Sequence, residues 1–288
     1  MGNYWMDIGK ETRAVCEILG ITQEELAKKL GVAFQTINRW ANGHNDSEIS
    51  HVEKLYSFAY ANRIRLNDIF EQLFIEEYQK DGVALLFHGS KTKIEFPIDL
   101  LHSKTSNDFG KGFYLGETFR QAATYIANSP STNVYTFSFD LEGLKEASFG
   151  VDRDWMLAIA YYRGWIDKYK DSPKIKKVAK RVEEADFVVA PIADNRMFDI
   201  VSEFVRGDIT DLQCQHALSA TSLGKQYVIR TENALRHLAF IHQNYLSKPE
   251  KEDCIKQRLE MNNLNQDKVS VARMRYRGKG RYIEELLK

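Results

Sequence analysis

The chain reads as an α+β protein, with a small all-α bundle followed by a mixed α+β domain. Three observations predict this. Apolar residues recur at helical spacing through most of the first 78 positions. Short apolar, strand-like runs then intermix with helical stretches, without the regular alternation that builds a parallel sheet. No Gly-x-Gly-x-x-Gly turn is present to suggest a doubly wound sheet.

Residues 7–19 form a first amphipathic helix. Thr22 opens a second, with Glu25 three positions on as in a capping box, and Leu26, Ala27 and Leu30 as its apolar stripe. Gly31 ends it. Val32, Ile37 and Trp40 anchor a third helix, leaving Phe34, Gln35, Thr36, Asn38 and Arg39 on or near its exposed face. Helices come next at 49–61 and 66–78; the latter, carrying Leu66, Ile69, Phe70, Leu73 and Phe74, either dimerises the bundle or connects it to the second domain. Lys80-Asp81-Gly82 breaks the pattern and Val83 opens that domain. There, strands are expected at 83–87, 134–139, 187–190 and 226–230, and helices at 118–127, 155–169, 197–205, 211–221 and 232–245. The expected divisions are residues 1–65, a connecting helix 66–82, a domain 83–246 and a helical, basic segment 247–288.

The length of 288 residues favours more than one unit. Forty basic residues balance forty acidic ones, so charge alone names no polyanionic partner. Cys16, Cys214 and Cys254 are odd in number and without metal-ligand spacing, so they read as free thiols, and no metal is expected. No apolar run approaches a membrane span and no signal-peptide core opens the chain; Met1-Gly2 resembles an acylation start, but Met6 stands where Ser or Thr is needed. A cytoplasmic protein without membrane contact is the expectation.

The run from Thr22 through Gly31 to Trp40 and Gly43 resembles the helix-turn-helix of the Cro and phage-repressor family. That resemblance implies DNA as a partner, with the N-terminal part of the second helix in the major groove. Gln35 and Asn38 suit adenine edges and Arg39 suits guanine. Asp46, Glu48 and Glu53 nearby disfavour a tight grip by one copy, so a homodimer is expected to bind. Protein contacts alone are the alternative use of such a small helical bundle.

Further on, His88-Gly89-Ser90 closes the apolar run from Val83, and Asp108-Phe109-Gly110-Lys111-Gly112-Phe113-Tyr114 precedes a helix bearing Tyr125. This pattern resembles the nicotinamide pocket of ADP-ribosyltransferases of the His-Tyr-Glu type, the diphtheria-toxin and poly-ADP-ribose-polymerase branch. The resemblance implies NAD as substrate, with no metal: Tyr114 and Tyr125 sandwich the nicotinamide, Gly89 and Ser90 meet its carboxamide, His88 holds the adenosine-side ribose, and Gly110 and Gly112 permit the turn beneath the ring. Taken alone, the same residues also read as a buried strand, a turn and two core aromatics.

Two departures bear on activity. Gln226 stands where the family has its catalytic Glu, and Ala122 where the polymerases have a Ser that binds the carboxamide. The bond to be broken is glycosidic and its transition state carries positive charge on the ribose; a neutral amide forgoes a stabilisation worth on the order of 10²- to 10³-fold in rate. Restoring the carboxylate by Gln226→Glu is therefore expected to preserve or raise turnover. With His88, Tyr114 and Gln226 as catalytic residues, the chain looks like a mono-ADP-ribosyltransferase acting on a macromolecular acceptor, fused to a DNA-binding regulator. That architecture is at home in toxin–antitoxin or phage-defence loci, with an antitoxin as a further partner. An NAD- or nucleotide-sensing repressor with a weak transferase fold is the alternative, and a scaffold without ligand a third. Asp194 or Arg196 would contact ligand or merely close a loop; Tyr161, Tyr162, Trp165, His102, His216, His237 and His242 read as structural. Between Lys268 and Tyr282 every charge is positive, as in a solvated tail or a grip on nucleic acid.

Overall fold

A computed structural model describes residues 8–44, 48–192, 195–221 and 223–288, leaving out the side chains of residues 102, 195 and 196. Helices α1 (Ile8–Leu19), α2 (Gln23–Leu30), α3 (Phe34–Ala41), α4 (Ile49–Ala61) and α5 (Leu66–Tyr78) precede strand β1 (Val83–Ser90). Then come β2 (Phe113–Gly116), α6 (Phe119–Ile126), β3 (Asn133–Asp140), β4 (Glu146–Ser148), α7 (Arg153–Tyr162), α8 (Pro173–Glu183) and β5 (Phe187–Pro191). The remaining elements are α9 (Asn195–Arg206), α10 (Asp211–Ser219), β6 (Lys225–Ile229), α11 (Glu232–Arg236), β7 (Leu238–Tyr245), α12 (Lys248–Arg275) and α13 (Ile283–Leu287). Asp7, Asp46, Asp194 and the side chains of His102 and Arg196 lie outside the described residues.

Two expectations from the sequence are corrected, and α8 and β2 are elements it did not predict. The stretch 232–245 is a short helix, α11, followed by strand β7 rather than one helix, because α11 is capped at His237 and the run from Leu238 to Tyr245 enters a sheet. Helix α7 stops at Tyr162, where Gly164 at φ +73° turns the chain, so 155–169 is not continuous. Helix α8 had no expected counterpart, although Pro173 at its first turn and Ile175, Val178 and Val182 on its buried face mark it. The turn before Tyr114 feeds directly into β2, which is only four residues long.

The chain packs as two compact units that do not follow sequence order. The first comprises residues up to Ile94, Thr118–Asp140 and Ala239–Gln257. It holds the order β1-β3-β7, with β1 and β3 antiparallel from Val83↔Asp140 to Ser90↔Asn133. Trp40, Leu55, Tyr56 and Phe70 of the helices share one apolar cluster with Phe87, Ile126 and Tyr245 of the strands and α6. The boundaries at 65/66 and 82/83 fall inside this compact unit. Polar ties cross the same cluster. The Tyr56 hydroxyl donates to Oε1 of Glu11 at 3.1 Å, and His242 Nε2 lies 3.2 Å from the same oxygen. Asn67 donates to the Tyr245 carbonyl at 2.9 Å, and the Tyr245 hydroxyl donates to Glu53 at 2.8 Å. Glu11 is fully buried, where a carboxylate is tolerable only with partners. Burial, and then the Glu11 charge, push the Tyr56 hydroxyl well above its ordinary pKa, which keeps it a donor.

The second unit comprises Glu95–Glu117, Leu141–Leu238 and Arg258–Lys288. Its strands run β4-β5-β6-β2, with β4 parallel to β5 and the other pairs antiparallel. Helix α7 is buried from Trp155 to Ala160 and packs in a cluster with Val188, Phe204 and Val228. Val269, Ile283 and Leu286 join that cluster, so 258–288 is part of the unit rather than an appendage. Among the described residues, no helix is long and apolar enough to cross a membrane and no group of three or more His, Cys, Asp or Glu is placed to hold a metal.

A fragment of residues 1–82 lacks the strands and α6 that cover Tyr56 and Phe70. It is expected to lose cooperative thermal unfolding, measured by circular dichroism. A sharp transition at the full chain's midpoint would show that the helices suffice.

Candidate functional site

The helix-turn-helix is built as its residues dictate. Thr22 accepts from the Glu25 N–H at 3.2 Å while Glu25 Oε2 accepts from the Thr22 N–H at 2.7 Å, completing a capping box at the start of α2. Gly31, at φ +63°, ends α2 in left-handed geometry. Ile37, Trp40 and Ala41 bury one side of α3. Phe34, Gln35, Asn38 and Arg39 are exposed and Thr36 is half-buried. Asn38 donates to Gln23 Oε1 at 3.3 Å, linking this face to the start of α2.

The dinucleotide residues expected from sequence are divided between the units: His88, Gly89, Ser90 and Tyr125 belong to the first, and Gly112, Tyr114 and Gln226 to the second. In the first, half-buried His88 pairs with Tyr135 across β1 and β3. Gly89 has a packing reason of its own, since a Cβ there would stand 2.2 Å from the Ala122 carbonyl oxygen. The close approach at Gly89 is thus made by α6, and Ala122 belongs to that contact. The Ser90 hydroxyl accepts from the Thr92 N–H at 3.4 Å. Tyr125 is 63% exposed, with the Lys91 ammonium 5.3 Å from its ring centroid. It is therefore not a core aromatic, and a cation already sits over its ring.

In the second unit, the turn before β2 is gripped from several sides. The Tyr114 hydroxyl accepts from the Phe109 N–H at 3.0 Å and donates to the Gly110 carbonyl at 2.8 Å, so Tyr114 closes the turn that precedes it. Burial raises this hydroxyl above its ordinary pKa. Ser103 accepts from the Gly112 N–H at 3.2 Å, and Arg230 donates to the Phe109 carbonyl. Gly110 takes φ +73°, and a Cβ on Gly112 would meet the Ile229 carbonyl oxygen at 2.7 Å. Tyr162 packs against Gly110, and its buried hydroxyl has no hydrogen-bond partner among the described residues. Its pKa is pushed up to about 12, chiefly by burial.

Two residues to which the sequence pattern assigned no role surround Gln226. Gln226 is 7% exposed on β6, paired across the sheet with Gly116 and Ala190. Its Nε2 donates to Asp108 Oδ2 at 3.2 Å and to the Pro191 carbonyl at 3.1 Å. Arg163 donates to the other Asp108 oxygen from Nε at 3.0 Å and Nη2 at 2.7 Å. A carboxylate and a carbonyl can only accept, so the amide orientation is forced. Both amide hydrogens are committed. No hydrogen bond to Oε1 is seen among the described residues, which leaves Gln226 an acceptor held in one orientation. Asp108 immediately precedes the turn and Arg163 comes directly after α7, so no local spacing links either to position 226. A lone acidic residue next to Phe-Gly was the available hint.

The fold thus combines a DNA-binding helix-turn-helix with a mixed α+β region. Residues 13–55 match the helix-turn-helix family. Residues 84–240, more than half of the chain, match the family described as "Protein of unknown function (DUF3990)", and the chain belongs to that family. No curated protein and no solved structure matches the chain.

This geometry sets three expected outcomes. Arg39→Ala should lower affinity for a specific DNA site by about 1 to 3 kcal/mol and relax preference at one base pair, measured by anisotropy titration; unchanged affinity and preference would remove Arg39 from the interface. Tyr162→Phe deletes a buried hydroxyl without a partner, so chemical denaturation should show it neutral or stabilised by about 1 kcal/mol. Asp108→Ala leaves the Arg163 guanidinium without its acceptor and removes one of the two acceptors of the Gln226 amide, and should destabilise the fold by about 3 kcal/mol.

Proposed function

We propose that the family domain binds NAD and transfers its ADP-ribose to a macromolecule, on a chain whose helix-turn-helix binds DNA as a homodimer. The reading rests on Gln226, a buried acceptor held in one orientation by a charge pair. Such a pair is a poor source of net stability, and its geometric effect here is to hold the Gln226 amide in one orientation. Ribose hydroxyls are donors, which suits Oε1. The NAD glycosidic bond breaks with positive charge developing on the ribose. Asp108 brings a carboxylate close by, but Arg163 neutralises it, so the site offers little net negative charge at that moment. Transfer is accordingly slow, and favours an acceptor that is already anionic or strongly nucleophilic, such as a nucleic-acid group or a carboxylate, over a hydroxyl that needs a general base. A toxin–antitoxin or phage-defence setting is part of the same proposal, with an antitoxin as partner.

The surroundings of Gln226 reverse one expectation. Glutamate at 226 would set a carboxylate about where Nε2 now lies, 3.2 Å from Asp108 Oδ2 and 3.1 Å from the Pro191 carbonyl oxygen. Two carboxylates at that separation cannot both ionise. Gln226→Glu should therefore destabilise the fold and release nicotinamide no faster than wild type. The double variant Gln226→Glu with Asp108→Asn, in which the introduced amide donates to the new carboxylate, should release it faster than either single variant. Gln226→Ala should reduce release by on the order of 10²-fold at saturating NAD while leaving NAD affinity within a few-fold. The measurement is nicotinamide release with labelled NAD, with protein, DNA and RNA fractions counted separately. Wild-type release no faster than buffer would overturn the transferase.

A second reading is favoured by the first unit. Its helix-turn-helix shares one apolar cluster with β1, the strand that carries His88, and with β7. A nucleotide that bound at β1 with different affinity for two arrangements of that cluster would shift DNA affinity by the same factor as DNA shifts nucleotide affinity. DNA titrations with and without millimolar NAD test this, and identical curves would exclude an NAD-responsive repressor.

A further inference from the structure

Residues 275–281 read Arg-Tyr-Arg-Gly-Lys-Gly-Arg, four cations in seven positions. The backbone that carries them is fixed. The Lys279 N–H donates to the Tyr276 carbonyl at 3.0 Å, closing a turn through Gly278 at φ +70°. The Thr210 hydroxyl donates to the Lys279 carbonyl. The Asp211 N–H donates to the Arg281 carbonyl at 2.9 Å, and the Arg281 N–H donates to Asp211 Oδ1 at 2.7 Å. Gly280 sits at φ +92°, where a Cβ would meet Asp211 Oδ1 at 2.3 Å and Leu212 at 2.9 Å, so any side chain there is strained and forces a shift. The Tyr276 ring stacks on His216 at 3.5 Å between centroids, with 9° between the planes. Immediately beyond, Ile283 and Leu286 are buried.

The side chains are presented outward. Arg275, Arg277, Lys279 and Arg281 are exposed, and none of them has an ion-pair partner among the described residues. The carboxylates nearby are already occupied. Asp211, with its side chain 2% exposed, is held by Arg153, and Glu203 holds Arg273. Glu284 lies 3.9 Å from Lys168, and Glu285 accepts from the Tyr282 N–H at 3.0 Å. Like charges gathered on a rigid loop repel one another, and that repulsion is relieved by a partner with regularly spaced negative charge. Duplex DNA carries one charge per about 1.7 Å of its axis, and releases counterions when cations replace them. The chain already bears a unit that binds this ligand.

We infer that the 275–281 loop binds the phosphate backbone of duplex DNA without regard to sequence, as an interface in addition to the α3 face. This inference does not rest on the transferase reading. Its test is fluorescence anisotropy of a short labelled duplex of arbitrary sequence with the full chain, between about 50 and 200 mM salt. Joint replacement of Arg275, Arg277, Lys279 and Arg281 by Ala should flatten the plot of log affinity against log salt by about 0.9 for each phosphate no longer neutralised, or roughly 2 to 4 in all. The joint variant Arg275→Lys, Arg277→Lys and Arg281→Lys, which keeps every charge, should hold the wild-type slope. Gly280→Ala also keeps every charge but displaces the loop, and should lose part of the slope. Circular dichroism melts verify folding of each variant; the alanine variant changes only exposed side chains and decides the matter even if Gly280→Ala does not fold. A wild-type slope in the alanine variant, or in folded Gly280→Ala, would overturn the inference. So would binding of the wild-type chain to phosphatidylserine vesicles with no alanine-sensitive binding to DNA.

Discussion

The Asp108 carboxylate holds together parts of the second unit that are far apart in sequence. One oxygen takes two hydrogen bonds from Arg163, just past α7, and the other takes one from Gln226 on β6, while the residue itself begins the turn into β2. Charge-assisted bonds of this kind are strong and directional. Their geometry settles which way round the Gln226 amide lies. It also explains why an amide rather than a carboxylate occupies position 226, since the neighbouring groups at Asp108 and Pro191 are acceptors. In the sequence, Gln226 looks like the loss of a charge. In the fold, the Asp108 carboxylate lies against its amide, paired with Arg163.

The helix-turn-helix was legible because its signals are local. Thr22 with Glu25, Gly31, and the spacing of Ile37 and Trp40 each act within a few residues, and each emerges as a cap, a left-handed turn or a buried face. Strands β1, β3, β5 and β6 were legible as apolar runs. Strand β7 was not, because Phe240, Ile241 and Tyr245 suit a helix as readily as a strand until the sheet beside them is known. The same limit applies at the candidate site. Tyr114 and Gln226 could be singled out from a pattern, but Arg163 is joined to Asp108 only by the tertiary fold, across 55 positions. The basic segment near the C-terminus looked like a tail in composition; its anchors, Thr210 and Asp211, lie some 70 positions upstream.

The two compact units cut across the family boundaries. The matched helix-turn-helix at 13–55 and the matched family region at 84–240 are separate in sequence, yet the first unit draws on both. Glu11 on α1 meets Tyr56 on α4 and His242 on β7. A buried carboxylate with two such neighbours binds the start of the DNA-binding unit to a strand that continues the family domain. Substitutions at these positions should consequently be felt in both.

Gly89 has a consequence for reading relatives of this chain. With the Ala122 carbonyl oxygen 2.2 Å from where a side chain would begin, any larger residue has to lift α6 from β1. A lineage that had abandoned every ligand would still be obliged to keep a glycine there for as long as the helix lay across the strand. A glycine at this position is therefore a mark of packing and is no evidence of a ligand.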